Sequence, residues 1–138
     1  MQNMNNVGNP KSFKDLLVWQ RGIQLVKGVY LLTRGFPSEE KFGLISQMRR
    51  AAVSIPSNIA EGQARNTTGE FIQFLAIAQG SLAELETQLI VAAELGFCSS
   101  EAIGEISENI LQLKKMLYAL RAKLSPCPLP TTHYPLNK

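Results

Sequence analysis

Apolar residues recur at spacings of three and four along four successive segments of this 138-residue chain. Because residues at those spacings share one face of an α-helix, the pattern predicts helices near 13–34, 43–62, 68–95 and 100–124. The second helix starts at Ser38 or at Gly43. Gly and Pro residues between the segments mark short connections. We therefore expect an all-α protein, folded as an antiparallel up-down-up-down four-helix bundle.

The third and fourth helices have the most regular apolar faces, because their spacings of four and three alternate without interruption. Their predicted core residues are Phe71, Leu75, Ala78, Leu82, Leu85, Leu89 and Ala92, and then Ile103, Ile106, Ile110, Leu113, Leu117, Leu120 and Leu124. On the second helix the predicted core residues are Leu44, Met48, Ala51, Ile55 and Ile59.

The segments outside the helices differ in composition from the bundle. Residues 1–11 are polar and contain Gly8 and Pro10, so we expect a disordered N-terminus. Residues 12–124 should form the bundle domain. Residues 125–138 contain four prolines, which is typical of a flexible tail.

The first helix carries more apolar surface than a monomeric bundle needs, since a face of roughly 100–150° is enough. Two adjacent apolar stripes run along it. We assign the first stripe to the core, and it consists of Leu16, Trp19, Ile23, Val26 and Tyr30. We assign the second to a subunit interface, and it consists of Val18, Leu25, Val29 and Leu32.

A polar stripe runs beside the apolar face of the second helix. Its members are Gln47, Arg50, Ser54, Ser57, Asn58 and Glu61. The favoured interpretation is a hydrogen-bonded network at the edge of the core or between subunits. A small ligand site is the alternative.

Charge is segregated along the chain. Residues 1–65 hold nine basic and four acidic residues, residues 66–108 hold seven glutamates and no basic residue, and residues 109–138 hold five basic and no acidic residues. The expected topology gathers cations at one pole, and the predicted phosphate contacts are Lys14, Arg21, Arg65, Lys114, Lys115, Arg121 and Lys123. The opposite pole collects Glu39, Glu40, Glu94, Glu101 and Glu105. This segregation indicates either an anionic partner or pairing of basic with acidic helices inside an assembly.

The sequence contains few of the residue combinations that are typical of catalytic sites. The single histidine, His133, lies in the Pro-rich tail, so the folded part offers no base for Ser–His or Cys–His catalysis. Glu101, Glu105 and Glu108 share one helix, as in magnesium-dependent nucleotide hydrolases, but a solvated face is the favoured interpretation. We expect no enzyme, no catalytic residue, no metal and no cofactor.

The composition also bears on location. The longest apolar run has five residues, 89–93, whereas a membrane span needs roughly 20. Two cysteines do not indicate a disulfide framework. We expect a cytoplasmic protein with no membrane contact.

Residues 13–124 resemble the four-helix-bundle proteins encoded within intervening sequences of bacterial 23S ribosomal RNA genes. The resemblance lies in VWQRG (18–22), GLISQMRRAAVSIPSNIAEG (43–62), EFIQFLAIAQGSLAELETQL (70–89) and ELGF (94–97). The accessory proteins of diversity-generating retroelements are similar too. The resemblance implies a homopentameric ring and basic surfaces that bind RNA or DNA. For the retroelement members it also implies contact with a reverse transcriptase, and it implies no established catalytic site.

The first hypothesis is therefore a non-catalytic, homo-oligomeric bundle that binds nucleic acid, as an accessory to a reverse transcriptase or to a ribosomal RNA-related process. The second is a protein-interaction scaffold with no nucleic-acid role, whose charge segregation serves subunit pairing.

Overall fold

The computed structural model describes residues 12–126. It contains four α-helices: α1 (Leu17–Thr33), α2 (Leu44–Gln63), α3 (Thr68–Glu94) and α4 (Ser100–Leu124). Two short 3-10 turns, Phe13–Asp15 and Ser38–Glu40, precede α1 and α2. The described residues contain no strand, which confirms the all-α prediction. The predictions for residues 1–11 and 127–138 lie outside the described residues.

The helix ends follow local capping chemistry. The Thr67 hydroxyl accepts a hydrogen bond from the backbone N–H of Glu70 at 3.1 Å, which caps the start of α3. The Ser99 hydroxyl accepts one from Ala102 in the same way. Gly96 follows α3 with φ at 76°, a left-handed conformation that glycine adopts without strain.

Each helix packs against two others, because α1 contacts α2 and α4, and α3 contacts α2 and α4. The apolar faces meet in one core, as expected of a four-helix bundle. The largest fully buried side chains are Leu25, Val29, Met48, Ile55, Ile59, Leu75, Leu82, Leu85, Leu89, Ile110, Leu113 and Leu117. The core predictions for α2, α3 and α4 are confirmed, with the terminal members Leu44, Phe71, Ile103, Leu120 and Leu124 partly buried against that core.

On α1 the interface assignment of the second stripe is wrong. The first stripe is only partly buried, and its members Leu16, Trp19 and Val26 pack against the core. Leu25 and Val29 are fully buried within the chain and Val18 is 5% exposed, so none of them can serve a subunit interface. Leu32 is partly buried and packs against the same core. Tyr30 of the expected core stripe is instead 38% exposed.

Two glycines explain the rotation of α1. A Cβ atom built on Gly22 would lie 3.4 Å from Cβ of Pro56 in α2, and one built on Gly28 would lie 2.9 Å from Cδ1 of Ile106 in α4. The helix therefore approaches both neighbours through its glycines. The stripe between these two contacts points into the core.

None of the helices in the described range is long and apolar enough to cross a membrane.

Candidate nucleic-acid interface and the apolar surface beside it

Three of the seven predicted phosphate-binding residues already have partners within the chain. Arg65 forms an ion pair with Glu61 at 3.1 Å, and its guanidinium lies 4.8 Å from the centre of the Phe74 ring. Lys114 forms an ion pair with Glu86 of α3 at 3.0 Å. Arg121 donates to the side-chain oxygen of Gln79 at 2.6 Å and is partly buried. A nucleic acid that used these side chains would compete with these contacts.

The other four are exposed, and their side chains form no ion pair or hydrogen bond with any residue in the 12–126 range. They are Lys14, Arg21, Lys115 and Lys123. Arg21 lines a groove of about 350 Å³ between α1 and α4. We call this cleft the α1–α4 groove, and its lining residues are Leu17, Gln20, Arg21, Gln24 and Met116.

The remaining free cations differ in their relation to this groove. Lys123 follows Met116 by seven residues, so the two share a face of α4, whereas Lys115, directly before Met116, points about 100° away from it. On the α1 side, the Gln20 amide donates to the backbone carbonyl of Lys14 at 2.9 Å, which ties the backbone of that segment to the groove. Arg21 thus lines the groove and Lys123 lies on the α4 face that borders it, while Lys115 lies outside it.

The polar stripe of α2 also divides into two parts. Ser54 and Asn58 belong to a network, because the Ser54 and Ser81 hydroxyls lie 2.5 Å apart across α2 and α3, and the Asn58 amide donates to the Ser54 carbonyl at 2.8 Å. Glu61 pairs with Arg65. The side chains of Gln47, Arg50 and Ser57 are exposed and form no hydrogen bond within the described part of the chain.

An open apolar groove of about 720 Å³ runs over the outward side of α2. Its apolar walls come from Tyr30, Phe42, Ile45 and Val53, and Phe42 is 87% exposed. A smaller groove between α1 and α2 shares Val53 and Ser57 with it and adds Trp19, Ile23 and Val26. The two form one continuous area, which we call the α1–α2 surface.

Cations border the α1–α2 surface, and no carboxylate lines either of its grooves among the described residues. Lys41 and Arg50 are exposed. Arg49 is committed to the fold, since its Nε donates to Thr33 Oγ1 at 2.9 Å and its guanidinium lies 4.4 Å from the centre of the Tyr30 ring. Neither Phe42 nor Arg49 was part of the predicted site, because their roles depend on contacts with α1 and on exposure rather than on a local motif.

Burial raises the pKa of the Cys98 thiol above its usual value, so less of the reactive thiolate exists at neutral pH. Within residues 12–126, no group of three or more His, Cys, Asp or Glu residues lies close enough to hold a metal ion.

The family model of the 23S rRNA-intervening sequence proteins matches residues 14–119, which cover all four helices except the last residues of α4. The chain belongs to this family. Among solved structures, this family member is similar to a protein of unknown function from the S23 ribosomal protein family of Bacteroides thetaiotaomicron. The two are 23% identical, the match covers 76% of this chain and 95% of the other, and the TM-score is 0.71.

At that identity the likeness shows the fold alone. No curated protein matches the chain. The similarity to retroelement accessory proteins stays a prediction.

Proposed function

We propose that this member of the 23S rRNA-intervening sequence protein family is a non-catalytic protein that binds RNA or DNA at the α1–α4 groove. The observation that carries the proposal is the sorting of the cations. Arg21 lines this groove and Lys123 lies on the α4 face beside it, both without a partner in the described residues, whereas Arg65, Lys114 and Arg121 have one. Free ammonium and guanidinium groups can replace the counterions of a phosphate backbone without first breaking an internal contact.

The chemistry of the groove favours phosphate contacts over base contacts. Its lining consists of two amides, one guanidinium and two aliphatic side chains, and no aromatic ring that could stack on a base. The amides of Gln20 and Gln24 can donate to phosphate oxygens as well. Contacts of this kind position a nucleic acid but carry little sequence information. We therefore expect binding that depends strongly on salt and weakly on sequence.

A salt-series titration tests the proposal with single-stranded RNA, duplex RNA and duplex DNA as probes. Replacing both Arg21 and Lys123 by Gln should weaken binding and reduce the slope of log affinity against log salt for duplex DNA by about 2. Lys114→Gln is the matched control, because Lys114 lies on the same helix as Lys123 and is already paired with Glu86.

Two outcomes would contradict the nucleic-acid proposal. One is the absence of binding to all three probes at low salt. The other is that Lys114→Gln changes the slope of log affinity against log salt as much as Lys123→Gln alone does, since the protein's overall charge would then explain the effect without any site.

The proposed arrangement of the bundle is antiparallel, with up-down-up-down connections. The contacting residue pairs support this arrangement, because later residues of one helix meet earlier residues of the next. In α2 and α3, Ser54 meets Ser81 while the later Gly62 lies against the earlier Phe74. In α3 and α4, Lys114 meets Glu86 while the later Arg121 meets the earlier Gln79.

The proposed functional unit is a homo-oligomer, with the homopentameric ring as the form that the family resemblance implies. Light scattering coupled to size-exclusion chromatography measures the number of subunits. A monomer at every concentration would contradict the homo-oligomer and leave the nucleic-acid proposal standing.

A protein-interaction scaffold is the second candidate function, and the continuous α1–α2 surface favours it. A reverse transcriptase is the partner suggested by the resemblance to retroelement accessory proteins. The titration separates the two candidates, because a scaffold of this kind binds none of the three nucleic-acid probes. The genes that neighbour this one would indicate which partner to test.

A further inference from the structure

We propose that the α1–α2 surface of one copy binds the outward face of α3 of a second copy. The inference rests on the homo-oligomer proposed above and does not depend on nucleic-acid binding. In this pairing, cations of the α1–α2 surface meet carboxylates of α3.

The outward face of α3 is unusually apolar for an exposed helix surface. Ile77, Ile90, Val91 and Leu95 are between 42% and 57% exposed. A Cβ atom built on Gly80 would meet nothing within 4 Å, so the space above the middle of this face is open. Several large apolar side chains exposed on one helix face often mark a surface that another protein covers. Within one chain, α3 is covered only on the sides that face α2 and α4.

Carboxylates lie among the apolar residues of this face. α3 contains no basic residue, and Glu84 and Glu94 are both exposed on it. Glu84 and Val91 follow Ile77 at intervals of seven, so the carboxylate shares a face with the exposed apolar residues. A partner of this face must therefore offer both apolar surface and cations.

The α1–α2 surface has that composition. Its larger groove is concave and mostly apolar, and Phe42 stands out from its edge with 87% of its surface exposed. Lys41 and Arg50 border the groove, and the Arg50 side chain has no hydrogen-bond or ion-pair partner in the described residues. An apolar groove with cationic edges is a common receptor for an amphipathic acidic helix.

The dimensions agree as well. α2 has 20 residues and α3 has 27, so they extend over roughly 30 and 40 Å. A stable interface buries about 800 Å² on each partner, which helices of this length can supply together with Trp19 and Tyr30 of α1. Because the two faces differ, an open assembly leaves one α1–α2 surface and one α3 face uncovered at its ends. Both are covered only when the copies close into a ring. Such an assembly would explain why the first half of the chain is basic and residues 66–108 are acidic.

Charge reversal tests the pairing. Arg50→Glu places a carboxylate opposite the neighbour's acidic face, and Glu84→Arg places a guanidinium opposite the neighbour's cationic groove. Each single variant should raise the dissociation constant of the oligomer by about tenfold or more, since like charges would meet at the interface. The variant that carries both changes should recover most of the loss. Light scattering across a dilution series gives the constant, and circular dichroism verifies that each variant is folded.

Lys115→Glu is the matched control, because Lys115 is an exposed cation outside both faces. It should leave the oligomer unchanged. Val53→Asp and Ile77→Asp test the apolar parts of the two faces separately, and each should weaken the oligomer.

The alternatives give different results. An oligomer that neither charge reversal weakens, or one that the double variant does not restore, overturns the pairing while the homo-oligomer stands. Loss of the oligomer when residues 127–138 are removed would make that segment the occupant of the groove and would overturn the proposal too. A wild-type monomer at every concentration overturns both this pairing and the homo-oligomer.

Discussion

The two flanks of α1 present different chemistry to solvent. On the side of α2, Trp19, Ile23, Val26 and Tyr30 contribute to an apolar surface. On the side of α4, Gln20, Arg21 and Gln24 line a groove of mixed character together with Leu17 and Met116. The buried stripe that contains Leu25 and Val29 separates them. One helix thus anchors the core and also contributes to both surfaces that we propose to be functional.

The contrast explains the width of the apolar arc on α1. A helix that only closed a bundle would need one apolar stripe. Here a second apolar area, formed by Trp19, Ile23 and Tyr30, is partly exposed and continues onto Val53 and Phe42 at the α2 side. The α4 flank is more polar but still carries exposed apolar residues, because Leu17 and Leu31, spaced by seven on each side of Gln24, are 71% and 62% exposed.

The largest expected loss of stability is in the buried stripe of α1, compared with its apolar flank. Leu25→Asp should unfold the protein, because it removes a fully buried side chain and places a carboxylate in the core. The expected cost is at least about 4 kcal/mol in the free energy of unfolding. Ile23→Asp lies on the partly exposed flank and should cost about 1 kcal/mol. Urea denaturation followed by circular dichroism measures both, and equal losses would mean that α1 is rotated differently.

An intermediate loss of stability is expected where the apolar flank of α1 contacts α2. Arg49 donates to the buried hydroxyl of Thr33 at 2.9 Å, and it also lies within 3.4 Å of the Tyr30 carbonyl at the end of α1. Thr33→Val and Arg49→Met should each destabilise the protein by about 1 kcal/mol.

Because the two side chains share one hydrogen bond, their effects should not add, and a double-mutant cycle measures that coupling. Arg50→Met is the control, since the Arg50 side chain has no partner in the described residues, and it should change stability little. Strictly additive effects of Thr33→Val and Arg49→Met would argue against the contact.

The smallest expected effect compares the two glycines that face opposite neighbours. Alanine is favoured over glycine inside a helix by about 1 kcal/mol. Gly22→Ala should keep most of this gain, because its Cβ would lie at ordinary contact distance, 3.4 Å, from Pro56. Gly28→Ala should keep less, since its Cβ would approach Ile106 Cδ1 to 2.9 Å and push that side chain aside. Thermal unfolding ranks the two, and the reverse order would mean that α1 packs more tightly on α2 than on α4.

The sequence was sufficient for the helices whose apolar residues form one stripe. The alternation from Leu75 to Ala92 and from Ile106 to Leu117 leaves only one face to bury, and those faces are buried. It was insufficient for α1, where two complete stripes lie side by side. The contacts that decide between them, Gly22 with Pro56 and Gly28 with Ile106, join segments that are far apart in the chain.

The same reason limits the prediction of the candidate site. Charge counting finds the basic residues, but it cannot tell that Lys114 is paired and its neighbour Lys115 is not. That difference depends on Glu86, which lies 28 residues earlier on another helix. The role of Arg49 likewise depends on Thr33, 16 residues earlier. Periodicity describes one helix at a time, whereas these properties belong to pairs of helices.

The short link between α2 and α3 has a consequence for how the chain folds. α2 ends at Gln63 and α3 begins at Thr68, and directly before the link Gly62 lies so close to α3 that a Cβ atom there would approach Phe74 Cβ to 2.6 Å. Closing so short a loop costs little chain entropy, and local contacts of this kind form quickly. The contacts between α1 and α4, by contrast, require most of the chain to be organised first. We expect α2 and α3 to dock early during folding and to serve as the template on which the two outer helices assemble.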